Sequence, residues 1–196
     1  MITLDEIRSA LETRTHKPAL LQAPCRQASV AMILSETEDD LEVCFIRRAE
    51  RVGDPWSGQV AFPGGKADSC DIDAHSVAER ETHEEVGLKL EISHRVGPLP
   101  TRQVATRNLL LSPFIYHIDS DEKATVFARE PDEVAHVFWV PMRHLFMQSS
   151  ATELEYPIAG SGMTYPGIRY KEDIIWGLTL NVLESFAQIM RRKLPV

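Results

Sequence analysis

Apolar and polar residues alternate along this chain in two rhythms, which divide it into short strands and a few helices. Leu4 to Glu12 reads as a short N-terminal helix, followed by a Pro-punctuated connector from Lys17 to Pro24. Gln27 to Ser35 (QASVAMILS) and Leu41 to Arg48 (LEVCFIRR) are strand-like runs on either side of the acidic, turn-like ETEDD, which predicts a hairpin. A loop rich in Gly, Pro and polar residues follows, interrupted by a short strand around Gln59 to Phe62. The run from Asp73 to Val86 has no internal Gly or Pro and predicts a helix, with Asp73 as N-cap and Gly87 as a left-handed stop. Beyond it, Glu91 to Leu99, Asn108 to Ile118, Ala124 to Ala128 and Glu133 to Val140 read as strands, the first two separated by PTRQVATR. Pro141 opens a short helix over Met142 to Met147, Tyr165 to Tyr170 is a weak strand, and Ile174 to Lys193 has the apolar spacing of a long C-terminal helix. Strands and helices are mixed without regular βαβ alternation, so the fold class is α/β with a mixed sheet, a layered sandwich in preference to a doubly wound parallel sheet.

At 196 residues the chain is expected to form a single domain, 1–196, with a sizeable core. No repeats or low-complexity tails interrupt it. A formal net charge of -8 argues against a general nucleic-acid or anionic-membrane binder, and points to a small-molecule partner. Cys25, Cys44 and Cys70 are odd in number and show no CxxC pairing, which suggests neither a disulfide framework nor a zinc site. No apolar run reaches transmembrane length, and the amphipathic N-terminus lacks an apolar signal core. A cytoplasmic location is expected.

The chemistry concentrates in the predicted helix at 73–86. At about 100° per residue, Ala74, Ala78, Glu81 and Glu85 share one stripe, flanked by Val77 and Glu84, so a face that should turn inward ends in acid. Carboxylates so spaced repel one another, and burying them without counter-charge is costly. Arg80 can reach Glu84, but one guanidinium cannot neutralise three acids. A hard divalent cation such as Mg²⁺ or Mn²⁺ could; a solvated acidic stripe is the alternative. Upstream, Gly64 and Gly65 allow a tight turn and a close backbone approach, and a glycine carbonyl there could join the carboxylates as a ligand.

Arg80-Glu81-Thr82-His83-Glu84-Glu85-Val86-Gly87-Leu88, preceded by Phe62-Pro63-Gly64-Gly65, resembles the Nudix box, Phe62 to Leu88 here. Thr82 is polar where that family usually has an apolar residue. Gly65 to Arg80 encloses fourteen residues (66 to 79) instead of the usual thirteen, and the upstream acid is best supplied by Asp71. This expansion after FPGG is similar to the coenzyme A pyrophosphatase branch. The resemblance implies a Nudix-type α/β/α sandwich with the catalytic helix after a Gly-rich loop. It implies metal-dependent hydrolysis of a nucleoside diphosphate derivative, with Mg²⁺ or Mn²⁺ bridging pyrophosphate and helix. Glu81 and Glu85 would be principal ligands, Glu84 an additional or water-mediated one, and Gly65 a carbonyl ligand, while Arg80 would orient the carboxylates. Glu133 is the candidate catalytic base outside the box, and satisfying loop backbone donors is its alternative role. His75 and His83 are weaker candidates, and His83 points away from the acidic stripe.

Substrate identity rests on the segment from Arg47 to Gln59. The coenzyme A branch carries Arg-Ser, a second Arg and a Gly before FPGG. Here Gly58 and FPGG fit, but the spacing from Arg48 is one longer and the second Arg has no aligned equivalent, for which Arg51 is the candidate substitute. Arg47, Arg48 and Arg51 offer a positive patch for phosphate, or simply solvated arginines. Trp56 could stack on adenine or simply pack, and Gln59 completes the candidate substrate-binding set. Tyr165 to Tyr170 and the following Ile175-Trp176-Gly177-Leu178-Thr179 also resemble the end of that branch, with Trp176 read as core. Coenzyme A or a derivative is the expected substrate. ADP-ribose, NADH and nucleoside triphosphates are alternatives within the class, and a non-catalytic nucleotide-sensing module or a structural protein with an acidic surface helix are alternatives outside it. The oligomeric state is left open, a homodimer included.

Overall fold

The structure is a computed structural model that describes residues 1–12, 26–54, 56–104, 108–158 and 161–196. The expected connector from Lys17 to Pro24, Cys25 and Pro55 lie outside the described residues, as does part of PTRQVATR. The chain begins with helix α1 (Leu4–Glu12), then strands β1 (Arg26–Glu36), β2 (Leu41–Arg48), β3 (Val60–Ala61) and β4 (Gly64–Lys66), and helix α2 (Ala74–Val86). Strands β5 (Arg95–Pro98), β6 (Arg102–Val104) and β7 (Leu109–Ile118) follow, then the short helix α3 (Ser120–Ala124), β8 (Val134–Pro141) and α4 (Met142–Leu145). The chain ends with β9 (Ala151–Ile158), β10 (Ser161–Tyr170), β11 (Asp173–Trp176) and helix α5 (Gly177–Ile189).

The large sheet is mixed, as expected. Its order is β3-β2-β1-β7-β5, with β4 added to β1, β6 to β7 and β8 to β2. The β1–β7 pair is parallel, in register from Arg26 with Leu109 to Ser35 with Ile118, and the other pairs are antiparallel. Strand β1 is buried on both faces because the sheet lies between two layers. Its odd residues Ala31 and Ile33 pack with Ala74, Ala78 and Val86 of α2, while its even residues Met32 and Leu34 pack with α1 and with Val182, Leu183 and Phe186 of α5. A second, antiparallel sheet, β11-β10-β9, adjoins it.

Helix α2 begins and ends where its sequence signals it should. Asp73 has extended φ and ψ and its side chain accepts from the Ser76 amide, while the Ser76 hydroxyl takes the Asp73 amide, a reciprocal cap. Gly87 ends the helix at φ 73, with its amide bonded to the His83 carbonyl.

Four expectations need correction. The segment Ala124 to Ala128 is not a strand: Asp119 and Glu122 form a capping box that starts α3, and the Phe127 and Arg129 amides then donate to the carbonyls of Val86 and Glu85 at the end of α2. The expected strand from Glu91 begins only at Arg95, after a 3-10 turn at Ile92–His94. The expected helix from Ile174 starts at Gly177. Before it, Asp173–Trp176 pairs with Gly167–Tyr170 across a two-residue turn in which Lys171 has φ 53, and Gly177, at φ 58, converts strand to helix. Gly64 and Gly65 are not only a turn, since they form β4 against Val30 and Ser29. Among the described residues no helix is long and apolar enough to cross a membrane.

Candidate functional site

Gly64 is the pivot of the site. At φ 144 it occupies backbone space open to glycine, and an added Cβ would strike the Ser29 carbonyl and the Val30 backbone. This close approach lets the Gly64 amide donate to Glu85 Oε2 at 2.8 Å. An added Cβ at Gly65 would strike the Glu81 carboxyl group instead. The glycine pair and the acidic stripe of α2 are therefore packed against one another, and Gly65 must lack a side chain for Glu81 to lie where it does.

The carboxylates differ sharply in setting. Glu85 is 2% exposed. Burial, with Glu81 and Glu133 nearby, pushes its carboxyl up to about 8, against the opposing Gly64 amide and Arg48 charge. Glu81 is also pushed up, first by burial and then by Glu84 and Glu133, while Arg80 pulls it down. Arg80 reaches across the group: Nη1 donates to Glu81 at 3.1 Å and Glu84 at 2.9 Å, Nε and Nη2 grip Asp71 at 3.1 and 2.9 Å, and Nη2 also meets the Lys66 carbonyl at 3.0 Å. Burial works to raise Asp71, but its bonds to Arg80 and the Asp68 amide outweigh that and hold it below the usual carboxylate range. Asp71, expected as the upstream acid of the box, thus anchors the Arg80 guanidinium.

Glu81, Glu85, Gly64 and Gly65 open into a cavity of about 470 Å³. Arg48, Arg51, Trp56, Gln59 and Glu133 line it as well, so most of the expected site residues come together. Arg51 is 3.1 Å from Glu133, and Arg48 is 2.7 Å from Asp54. Burial raises Asp54, yet the Arg48 bond, the Trp56 amide and the neighbouring arginines bring it below its ordinary value. The Nε of Arg48 is buried without a hydrogen-bond partner, a donor left over for an anion.

Three expected residues stand apart from the cavity wall. Glu84 and Arg80 do not line it and bond one another instead. Arg47 also lies off it, its Nη1 3.1 Å from the buried Asp173, which takes His136 on its other oxygen at 3.0 Å. Successive strand residues face opposite sides, so Arg47 and Arg48 cannot share the cavity. The register against β8 shifts between them, with Arg47 opposite His136 and Arg48 opposite Val134. Neither histidine of α2 reaches the cavity: His75 stacks on Phe114 with centroids 3.8 Å apart, and exposed His83 lies 2.9 Å from Arg129. Trp176 is half-buried against Tyr165 and not a core residue.

Sequence reasoning missed the far wall of the cavity, formed by Leu109 and Leu111 of β7 and Leu178 and Val182 of α5. These look like ordinary core positions in sequence, and only the parallel β1–β7 pairing brings them beside the glycine pair. The Thr179 hydroxyl donates to the Val60 carbonyl at 2.9 Å and ties the start of α5 to β3.

Among the described residues no three His, Cys, Asp or Glu side chains are grouped as a metal cage. The donors nevertheless suit a hard divalent cation, because they are carboxylate and carbonyl oxygens and because mutual repulsion and burial raise Glu81 and Glu85.

Comparison with known proteins agrees with the box. A family model described as the NUDIX domain matches residues 26–159. An uncharacterized Nudix hydrolase, NudL, of Enterobacter sp. (strain 638) is 28% identical over 186 residues, which cover 95% of this chain and 94% of that protein. A NudL of Yersinia pestis (strain Pestoides F) is 29% identical over 174 residues, 89% of this chain and 84% of that one. The crystal structure of a MutT/nudix family protein from Enterococcus faecalis superposes with a TM-score of 0.56 at 14% identity, covering 97% of this chain and 70% of that one, a likeness of fold.

Proposed function

The chain belongs to the NUDIX family and is a hydrolase of the pyrophosphate in nucleotide derivatives; from that premise we propose that its substrate is coenzyme A or a derivative, cleaved to 3′,5′-ADP and 4′-phosphopantetheine. The observation that carries this reading is the convergence of Glu81, Glu85 and Glu133 with Arg48 and Arg51 on one cavity whose other wall is apolar. Gly58 and FPGG upstream favour coenzyme A.

Glu81, Glu85 and the Gly65 carbonyl would hold the divalent cation, Mg²⁺ or Mn²⁺, and Glu84 would be an added or water-mediated ligand. When bound, the cation supplies polarisation of phosphoryl oxygens and a bound water of lowered pKa. Arg80 sets the rotamers of Glu81 and Glu84 through its bonds to both, and Asp71 fixes Arg80 in turn. The unpaired Nε of Arg48 donates to a phosphate oxygen, and Arg51 offers its charge to the diphosphate when it leaves Glu133. Glu133, once released, accepts a proton from the attacking water. Trp56 and Gln59 contact the nucleotide. Arg47 does not belong to this set, since its charge is committed to Asp173. A cytoplasmic location and a single domain over 1–196 accompany this reading.

The test is a panel of coenzyme A, ADP-ribose, NADH, dinucleoside polyphosphates and dNTPs with Mg²⁺ or Mn²⁺, products identified by mass. Formation of 3′,5′-ADP and 4′-phosphopantetheine at the highest kcat/KM in the panel is the expected result. Faster cleavage of ADP-ribose or a dNTP replaces the substrate assignment.

A further inference from the structure

A second cavity, of about 500 Å³, adjoins the first, and the two share Leu178 near the start of α5. Its walls come from β6 and from the first turns of α5, with Arg102, Gln103 and Asn181 among them. Strand β6 is registered on β7 so that Arg102 sits opposite Leu111 and Val104 opposite Leu109. Those two leucines also line the apolar end of the first cavity. The lining groups therefore run in one direction from carboxylates and arginines, across Leu109, Leu111 and Leu178, to the Arg102 guanidinium and the Asn181 amide.

The far end is held open and oriented. Gly177 has φ 58, and no heavy atom lies within 4 Å of where its Cβ would be. Arg102 is fixed by Ser185, whose hydroxyl takes Nε at 3.0 Å and Nη2 at 2.7 Å. That grip uses one edge of the guanidinium and leaves Nη1 for a ligand. The Gln103 side chain faces the other side of β6, so the donors here are those of Arg102 and Asn181, which suit carbonyl or carboxylate oxygens. A sugar or a further phosphate would meet the leucine band between the two ends with its polar groups unpaired, at a desolvation cost that an alkyl spacer does not incur.

We infer that the second cavity is a subsite for the non-nucleotide half of the substrate, taking a chain whose apolar spacer crosses Leu178 and whose carbonyl or carboxylate oxygens meet Arg102 and Asn181. The inference rests on the pyrophosphatase reading above. It makes the residues after Pro100 and at the head of α5, which lie outside the box, determinants of specificity.

The test compares coenzyme A with the methyl ester of 3′-phospho-ADP, which keeps the diphosphate and nucleotide but lacks the chain. The wild-type protein is expected to prefer coenzyme A, and Asn181→Ala and Arg102→Gln are each expected to lower the kcat/KM ratio of the two substrates about tenfold, through KM. Asn181 is exposed, so its variant keeps the test valid where loss of the Ser185 contacts destabilises Arg102→Gln. Calorimetric titration of metal-free protein with 4′-phosphopantetheine should show the same weakening in Asn181→Ala. A ratio within about twofold of wild type in both variants, with both substrates turning over, overturns the subsite and leaves the pyrophosphatase reading standing. Failure of the wild-type protein to cleave either substrate overturns the reading and the subsite together.

Discussion

The Gly64 amide nitrogen stands 2.8 Å from Oε2 of Glu85, which joins the glycine strand to the helix carboxylate across 21 positions of sequence. Neighbouring Gly65 has the different task of leaving room for Glu81. The two glycines therefore fail differently when changed. Gly64→Ala places a Cβ against backbone atoms of Ser29 and Val30 at a left-handed φ, so it should cost about 2 kcal/mol or more of stability, read as a fall in Tm. Gly65→Ala meets only the end of the Glu81 side chain. It should fold with a near-normal Tm and lose about 100-fold in turnover, because Glu81 is displaced. Equal effects of the two variants on Tm would refute the distinction.

The buried Glu85 carboxyl makes metal-free stability depend on pH. Its folded-state value, about 8, lies above the ordinary value of 4.5, so the folded state holds the proton more tightly than the unfolded chain. The stabilisation is complete below about pH 4.5 and is lost as pH rises through about 8. Thermal melts in a chelating buffer should show Tm declining across that window. Glu85→Gln should flatten the decline and abolish turnover by orders of magnitude. A slope that persists unchanged in the variant would assign the titration to another group.

Arg51 at 3.1 Å restrains Glu133 in the free protein. Glu133→Gln is expected to lower kcat by about 10² to 10⁴ and to remove one limb of the pH–rate profile. An unchanged profile would reject Glu133 as the base. Arg51→Ala should chiefly raise KM, since it removes a phosphate-binding charge while freeing the carboxylate.

Thr82 replaces the usual apolar residue of the box, and its hydroxyl is fully buried without a hydrogen-bond partner. Thr82→Val keeps the branched shape and removes the unsatisfied oxygen, so it should raise stability by about 1 kcal/mol with activity retained. Chemical denaturation of the two proteins measures this directly. A loss of stability would mean that the hydroxyl is bonded after all.

Local signals carried the part of the site that lies on one helix. Asp73, Ser76 and Gly87 mark the ends of α2 because capping depends on residues three or four apart, and the acidic stripe follows from helical periodicity alone. The β1–β2 hairpin was equally legible, since its partners are near neighbours in sequence. The same periodicity misled at Ile174 to Trp176, where apolar spacing compatible with a helix is overridden by pairing with β10, and at Ala124 to Ala128, where backbone donors go to the end of α2.

Local spacing along the chain carries the family, a carboxylate set with its arginine, and a glycine pair upstream of them. Which side chains share a cavity is set by long-range packing. Strand alternation sends Arg48 inward and Arg47 to Asp173, an ion pair across 82 positions of sequence holds Glu133 at Arg51, and the parallel β1–β7 pairing supplies an apolar wall. These outcomes depend on contacts between residues tens of positions apart, and no local periodicity encodes them.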